Sequence, residues 1–224
     1  MLMDQLSSFF DWSIKKHRHR WEKTHPGEQY QACRTMCLNH LSSVIGDDGY
    51  MIRSADFMLR DKLVNLFAWA IPSKEAIGHI CEHSPRGVIE IGCGGGYWAW
   101  AIRQSGLDVV AYDKNPGKSH GKDEEIKLWI SDVKRGDENN AGDSPEKSLL
   151  LCWPSYDVSW GATAVEKYLS AGGTTVFYVG EGGGGCTGDD RLEDILCCDM
   201  EEVDAVDIPQ WDGINDYLRI FRKS

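Results

Sequence analysis

The chain has 224 residues, 35 acidic against 24 basic side chains, and a formal net charge of −11. That length holds one domain, or one domain with an appendage, and 42 % hydrophobic with 26 % charged residues excludes global disorder. The longest apolar run, near Leu66–Ile71, ends at Pro72 and falls short of the ~18–20 residues of a membrane span, while the net charge disfavours wholesale binding of nucleic-acid phosphates.

Residues 1–72 are expected to form an N-terminal helical lid or appendage. Asp4 and Asp11 interrupt the segment where a secretion signal needs an unbroken apolar core, so a cytoplasmic location and reduced cysteines are expected. His17, Arg18, His19 and Arg20, with Trp12 and Trp21, read as a solvated basic helix face; contact with RNA or a phosphorylated substrate is the alternative. Cys33, Cys37 and His40 share a helix face, but cysteine is also a common small core residue, and no metal is expected. Leu59, Leu63, Leu66, Phe67 and Ala70 recur at helical spacing up to Pro72.

Residues 73–224 are expected to form the core domain. Ser73 is an N-cap for a helix toward His83, and Ser84–Gly87 breaks it. Strands are predicted over Val88–Ile91, Asp108–Tyr112, Leu128–Ile130, Ser148–Cys152 and Thr174–Val179, then over Val203–Ile208 and Tyr217–Phe221. Tyr97–Gln104 reads as a helix with Gly106 just past its end, and Asp189 or Asp190 caps another over RLEDILCC. Residues 134–147 are polar and rich in turn formers, hence a surface loop. Alternating strands and helices imply a parallel sheet with crossover helices. From Glu181 to Asp216 there are twelve acidic residues and one basic, so the remainder of the chain is neutral overall.

The sharpest signal is Val88-Ile-Glu-Ile-Gly-Cys-Gly-Gly-Gly-Tyr-Trp98. A buried strand delivers Glu90, then Gly92, Gly94 and Gly96 at alternate positions, then a helix start with free N–H groups. The dinucleotide fingerprint G-x-G-x-x-G/A would put Tyr97 at its third small position, a departure from the pattern. Gly117-Lys118-Ser119 lacks the upstream glycine of a phosphate-binding P-loop, whose place Tyr112 takes.

Acidic-x-Gly-x-Gly-x-Gly at Glu90–Gly96, with Asp113 closing the second strand, resembles the class I S-adenosylmethionine-dependent methyltransferases. The resemblance spans roughly residues 73–221. It implies an α/β, Rossmann-like three-layer sandwich with a seven-stranded, mostly parallel sheet whose last strand is antiparallel, plus N-terminal helices. It implies S-adenosylmethionine as cofactor, held by Glu90, Gly92, Cys93, Gly94, Gly96, Asp113, Asp132 and Cys152. Asp113 would accept hydrogen bonds from the ribose hydroxyls, and Asp132 would stand on the adenine side after the third strand. Tyr50 and Arg53 precede the helical stretch that leads into the core; the resemblance implies N-terminal helices laid over the cofactor, with Arg53 pairing with the carboxylate of its methionine moiety, and a surface salt bridge is the alternative.

Ligands of open α/β sheets bind beyond the carboxyl ends of the strands. Strand four runs into Cys152-Trp-Pro-Ser-Tyr-Asp157, which resembles the (Asn/Asp)-Pro-Pro-(Tyr/Phe) motif of methyltransferases acting on planar amino groups. Trp153 replaces the accepting residue, and indole only donates; Ser155 replaces the second proline. Trp153 and Tyr156 are candidates to stack on a flat acceptor or enclose the methyl group, or else they pack the wall. Strand five runs into Glu181 and a loop with five glycines in seven residues, expected to close over the acceptor with Glu181 facing it. Trp153, Tyr156 and Glu181 are therefore the candidate catalytic residues, with Asp157 as a further base. The expected activity is methyl transfer to a small or medium-sized acceptor. The alternatives are a non-catalytic S-adenosylmethionine-binding module, a methyltransferase acting on an amino group of a nucleobase or RNA end, and a nicotinamide dinucleotide enzyme.

Overall fold

Ser73 opens the regular alternation. Its hydroxyl accepts from Ala76 N at 3.0 Å and caps helix α1 (Lys74–His83), with Glu75 in the first turn where the helix dipole favours negative charge. This is a computed structural model, and it describes residues 64–65, 67–119, 125–209 and 214–223. Val64–Pro209 with Asn215–Ser224 forms one compact unit. The basic stretch from His17, the Cys33, Cys37 and His40 face, Tyr50 and Arg53 lie outside the described residues.

Strand β1 (Val88–Ile91) is buried throughout and feeds, through the glycine turn, helix α2 (Tyr97–Gln104). Then come β2 (Val109–Asp113), β3 (Lys134–Arg135), a 3₁₀ turn (Glu138–Gly142), β4 (Ser148–Cys152) and α3 (Trp160–Ser170). The chain continues through β5 (Thr175–Gly180), α4 (Asp190–Cys198), β6 (Glu201–Asp207) and β7 (Tyr217–Arg222). Among the described residues these strands make one seven-stranded sheet, ordered β3-β2-β1-β4-β5-β7-β6. The first five are parallel, and β7 runs antiparallel to both β5 and β6. This is the Rossmann-like α/β sheet with one reversed strand that the resemblance implied.

The central strands bury both faces, which is why VIEI, SLLLC and TVFYVG read as continuous apolar runs rather than alternations. On one face Ile89, Leu149, Leu151 and Val176 cluster with Ala162, Val165, Leu192 and Leu196 from α3 and α4. Full burial of each large aliphatic side chain contributes about 1.5–3 kcal/mol. Next to the edge strand β6, Arg219 of β7 is 6 % exposed and sits between Glu193 and Glu202, at 2.9 and 2.8 Å, so its buried charge is paired twice.

Two expectations need correction. Leu128–Ile130 is not the third strand; Lys134–Arg135 is. The apolar run instead packs onto the glycine turn, with Trp129 N donating to Gly95 O at 2.8 Å and Ile130 buried. Nor are residues 134–147 merely a surface loop. Asp137 and Asn140 cap each other's backbone in a reciprocal box, and the turn they stabilise buries Ala141 completely.

Candidate functional site

Three glycines after β1 hold backbone conformations closed to most side chains: Gly92, Gly94 and Gly96 have φ of 73°, 56° and 73°. Gly92 N and Cys93 N both donate to Tyr112 O, at 2.8 and 3.0 Å, fastening the turn to the end of β2. The next residue, Asp113, closes the arrangement: its Oδ2 accepts from Gly94 N at 2.8 Å and its Oδ1 from Asn115 N at 2.7 Å. A carboxylate offers about four acceptor positions, so two remain for a vicinal diol.

The turn is clasped from one side by residues 125–130. A side chain on Gly95 would overlap the Lys127 carbonyl, and one on Gly96 would come 2.7 Å from Ile130. Trp129 packs among Phe67, Tyr97 and Trp100, with ring centroids 4.7–5.6 Å away. Tyr97, the first residue of α2, is 1 % exposed. The place that a dinucleotide site keeps small is thus filled by a buried aromatic ring.

Beneath the turn lies Glu90, 1 % exposed. Burial pushes its carboxyl up to about 8, opposed in part by an Ala99 amide and assisted by the charge of Asp113. Among the described residues Oε2 has no hydrogen-bond partner. A buried carboxyl with a vacant acceptor next to a glycine turn fits a cationic group of a ligand at that place. The thiols of Cys93 and Cys152 are driven up by burial and by the nearby Glu90 charge, so they are inert wall residues.

Asp132 does not follow the third strand; it precedes it, and its carboxylate grips Arg103 of α2 at 2.7 and 2.9 Å. The Arg103 pairing holds Asp132 below the usual carboxylate range. The acidic residue that does follow β3 is Asp137, which the sequence reading missed. Its carboxylate accepts from the Asn139 amide and side chain, both at 3.0 Å. The signal was there in Arg135-Gly-Asp137, an acidic residue after a turn glycine, hidden by the misplaced strand.

At the carboxyl ends of β4 and β5 a cavity of about 700 Å³ opens, lined by Tyr156, Glu181, Cys186, Asn215, Tyr217 and the glycines of the loop. Tyr156 is 66 % exposed and lies on it. Glu181 lines it too, yet its carboxylate also holds the loop: Oε2 accepts from Cys186 N and Oε1 from Asn215 N, both at 2.7 Å. Thr187 ties the loop base, its hydroxyl bonded to Tyr178 at 2.7 Å and to Glu181 N at 2.8 Å. Gly188 N donates to Pro154 O and Asp157 N to Gly188 O, both at 2.9 Å, which joins the loops after β4 and β5. Trp153 takes a left-handed backbone, φ 53°; its indole N–H donates to Asp216 at 2.9 Å, and its ring stacks on Trp69 with centroids 5.0 Å apart. The described structure thus brings Tyr156 and Glu181 to one cavity and Glu90, Gly94 and Asp113 to one turn. Trp153 spends its donor on Asp216 and its ring on Trp69.

Neither a family model nor a curated protein matches the sequence. Among solved structures, the chain is similar to magnesium protoporphyrin IX methyltransferase from Synechocystis PCC 6803, at 10 % identity and TM-score 0.46, over 80 % of this chain and 86 % of that one. It is similar to 1,6-didemethyltoxoflavin-N1-methyltransferase from Burkholderia thailandensis, at 17 % identity and TM-score 0.39, over 67 % and 77 %. A third, at 12 % identity and TM-score 0.42 over 69 % and 71 %, is described as a putative tRNA (m1A22) methyltransferase from Streptococcus pneumoniae.

Proposed function

We propose that the chain is an S-adenosylmethionine-dependent methyltransferase acting on a small or medium-sized acceptor. The observation that carries this reading is the union of Asp113 with the glycine turn through Gly94 N, at 2.8 Å, above the buried carboxyl of Glu90. Two further features support it against a nicotinamide dinucleotide enzyme: the reversed β7 between β5 and β6, and the buried Tyr97 at the position that a dinucleotide turn keeps small.

In this reading Asp113 accepts the ribose hydroxyls, the glycine turn lets the backbone approach the ligand, and Glu90 answers a cationic group. Asp137, after β3, replaces Asp132 as the adenine-side residue. The cofactor supplies an electrophilic methyl group, so the protein's own work is alignment and exclusion of water. Tyr156 offers a flat, exposed ring to an acceptor in the cavity, and Glu181 places a carboxylate on the cavity wall. Trp153 shapes the wall from behind through its bond to Asp216. Methylation of a planar amine finds little support, because position 153 carries a committed donor where such chemistry needs an acceptor.

The test is incubation of the protein with a cell extract and S-adenosylmethionine carrying an isotopically labelled methyl group, followed by mass spectrometry. A labelled product absent from a Tyr156→Ala reaction supports the reading and names the acceptor. Cofactor binding with no labelled product from extract would favour a non-catalytic binding module.

A further inference from the structure

We propose that His79, His83 and Asp204 form a binding site for one transition-metal dication of the zinc class, stapling helix α1 to the edge strand β6. The site stands apart from the methyltransferase reading and does not depend on it. Asp204 lies mid-strand on β6, whereas the glycine turn and the cavity lie at the carboxyl ends of the strands.

His79 and His83 are four residues apart on α1 and so share a face. That face meets Asp204. One ring nitrogen of each histidine and one Asp204 oxygen all lie within 4.8 Å of one another. Tetrahedral coordination with bonds of ~2.0–2.2 Å sets ligand atoms ~3.3–3.6 Å apart. The contacts to Asp204 Oδ2 bracket that spacing, at 2.6 Å from His79 and 3.8 Å from His83. Side-chain shifts below ~1 Å bring both contacts to Asp204 onto that spacing, for three of the four ligands. The three side chains are 22–32 % exposed, which leaves water able to fill the remaining position. Two imidazoles and one carboxylate suit zinc, cobalt or nickel, whereas magnesium and calcium prefer all-oxygen shells.

The geometry also holds a competitor. Arg222 Nη2 lies 3.1 Å from His83 Nδ1. Guanidinium only donates, so Nδ1 accepts and the ring proton stands on Nε2, facing Asp204. A metal on Nε2 needs that proton transferred to Nδ1, and two donors cannot then face each other, so Arg222 must swing out. It is exposed and free to do so. Arg222 thus opposes the metal both by its bond and by its charge.

The experiment titrates zinc chloride into the full chain by calorimetry and repeats the titration with cobalt(II), followed by its absorption. One ion should bind per chain at this site. His83→Ala and Asp204→Asn should each weaken it by at least about tenfold, and Arg222→Ala should tighten it. The cobalt spectrum should show the visible bands of a tetrahedral site whose loss in His83→Ala leaves any sulfur-to-metal charge-transfer band unchanged. Zinc should raise the melting temperature of the wild type and not of His83→Ala. Far-ultraviolet circular dichroism checks that each variant folds; if His83→Ala does not, His79→Ala and Asp204→Asn read the same quantity. No zinc binding by the wild type, or affinity unchanged by these substitutions, would overturn the proposal. Binding signalled only through sulfur charge transfer would assign the ion to cysteines and overturn it equally.

Discussion

Glu90 shows how one residue couples stability to ligand. Its folded-state carboxyl is raised from 4.5 to about 8, so below that pH the native chain keeps a proton that the unfolded chain has already lost. The fold therefore binds more protons over this window, and Glu90 makes stability fall as pH rises from about 4.5 to about 8. The loss is on the order of a few kcal/mol. Glu90→Gln cannot ionise, so its melting temperature should exceed that of the wild type at pH 8 and nearly match it at pH 5. Equal melting temperatures at both values would show that Glu90 is not raised. Above about pH 8, where Glu90 is ionised, the same substitution should weaken S-adenosylhomocysteine binding, since it removes the charge that answers a ligand ammonium. Asp113→Ala should weaken that binding at least about tenfold, the cost of hydrogen bonds to a charged acceptor; an unchanged affinity in calorimetry would displace the ribose site. Both residues were legible from the sequence, because strand ends and alternate glycines fix where a carboxylate must stand.

At the scale of elements the glycine turn and the loop after β5 behave differently. Gly95 is pressed against the Lys127 carbonyl, whereas a side chain on Gly94 would meet only Ile126, at 3.6 Å. Gly95→Ala should therefore cost about 1–3 kcal/mol by overpacking and loosen the 125–130 clasp. Gly94→Ala should cost about 1–2 kcal/mol through its left-handed backbone alone. Thermal melts of the two, alongside tryptophan fluorescence of the clasp at Trp129, separate the mechanisms: the spectrum should shift in Gly95→Ala only. In the second loop, Thr187→Val removes the hydroxyl that joins Tyr178 to Glu181 N. Proteolysis within Gly182–Gly185 should accelerate while cofactor affinity stays unchanged; a matching loss of affinity would mean that the two loops are not independent. The sequence concealed this anchoring, since a run of glycines shows freedom but not the side chains outside it that restrain it. It concealed the clasp for another reason. Leu128-Trp129-Ile130 is as apolar as a strand, and burial against a turn leaves the same pattern as burial in a sheet. That ambiguity moved the third strand, so that Asp132, expected after it, precedes it, and Asp137 is the acidic residue that follows.

For the whole molecule, the order of elements was legible because each central strand is a pure apolar run bounded by turn formers, and Ser73, Gly106 and Asp189 mark helix ends at the expected places. The acidic excess from Glu181 to Asp216 takes on a location: part lies on α4 and β6 at the sheet edge, where Glu193 and Glu202 neutralise the buried Arg219, and part surrounds the cavity through Glu181. An acidic edge is a poor track for a nucleic-acid backbone. All of this rests on the ligand at the glycine turn. Calorimetric titration of the full chain with S-adenosylhomocysteine, run beside nicotinamide adenine dinucleotide, addresses it directly. One-to-one binding of S-adenosylhomocysteine that Asp113→Ala weakens at least about tenfold, with no heat from the dinucleotide, is the expected result. Binding of the dinucleotide without S-adenosylhomocysteine would contradict the account.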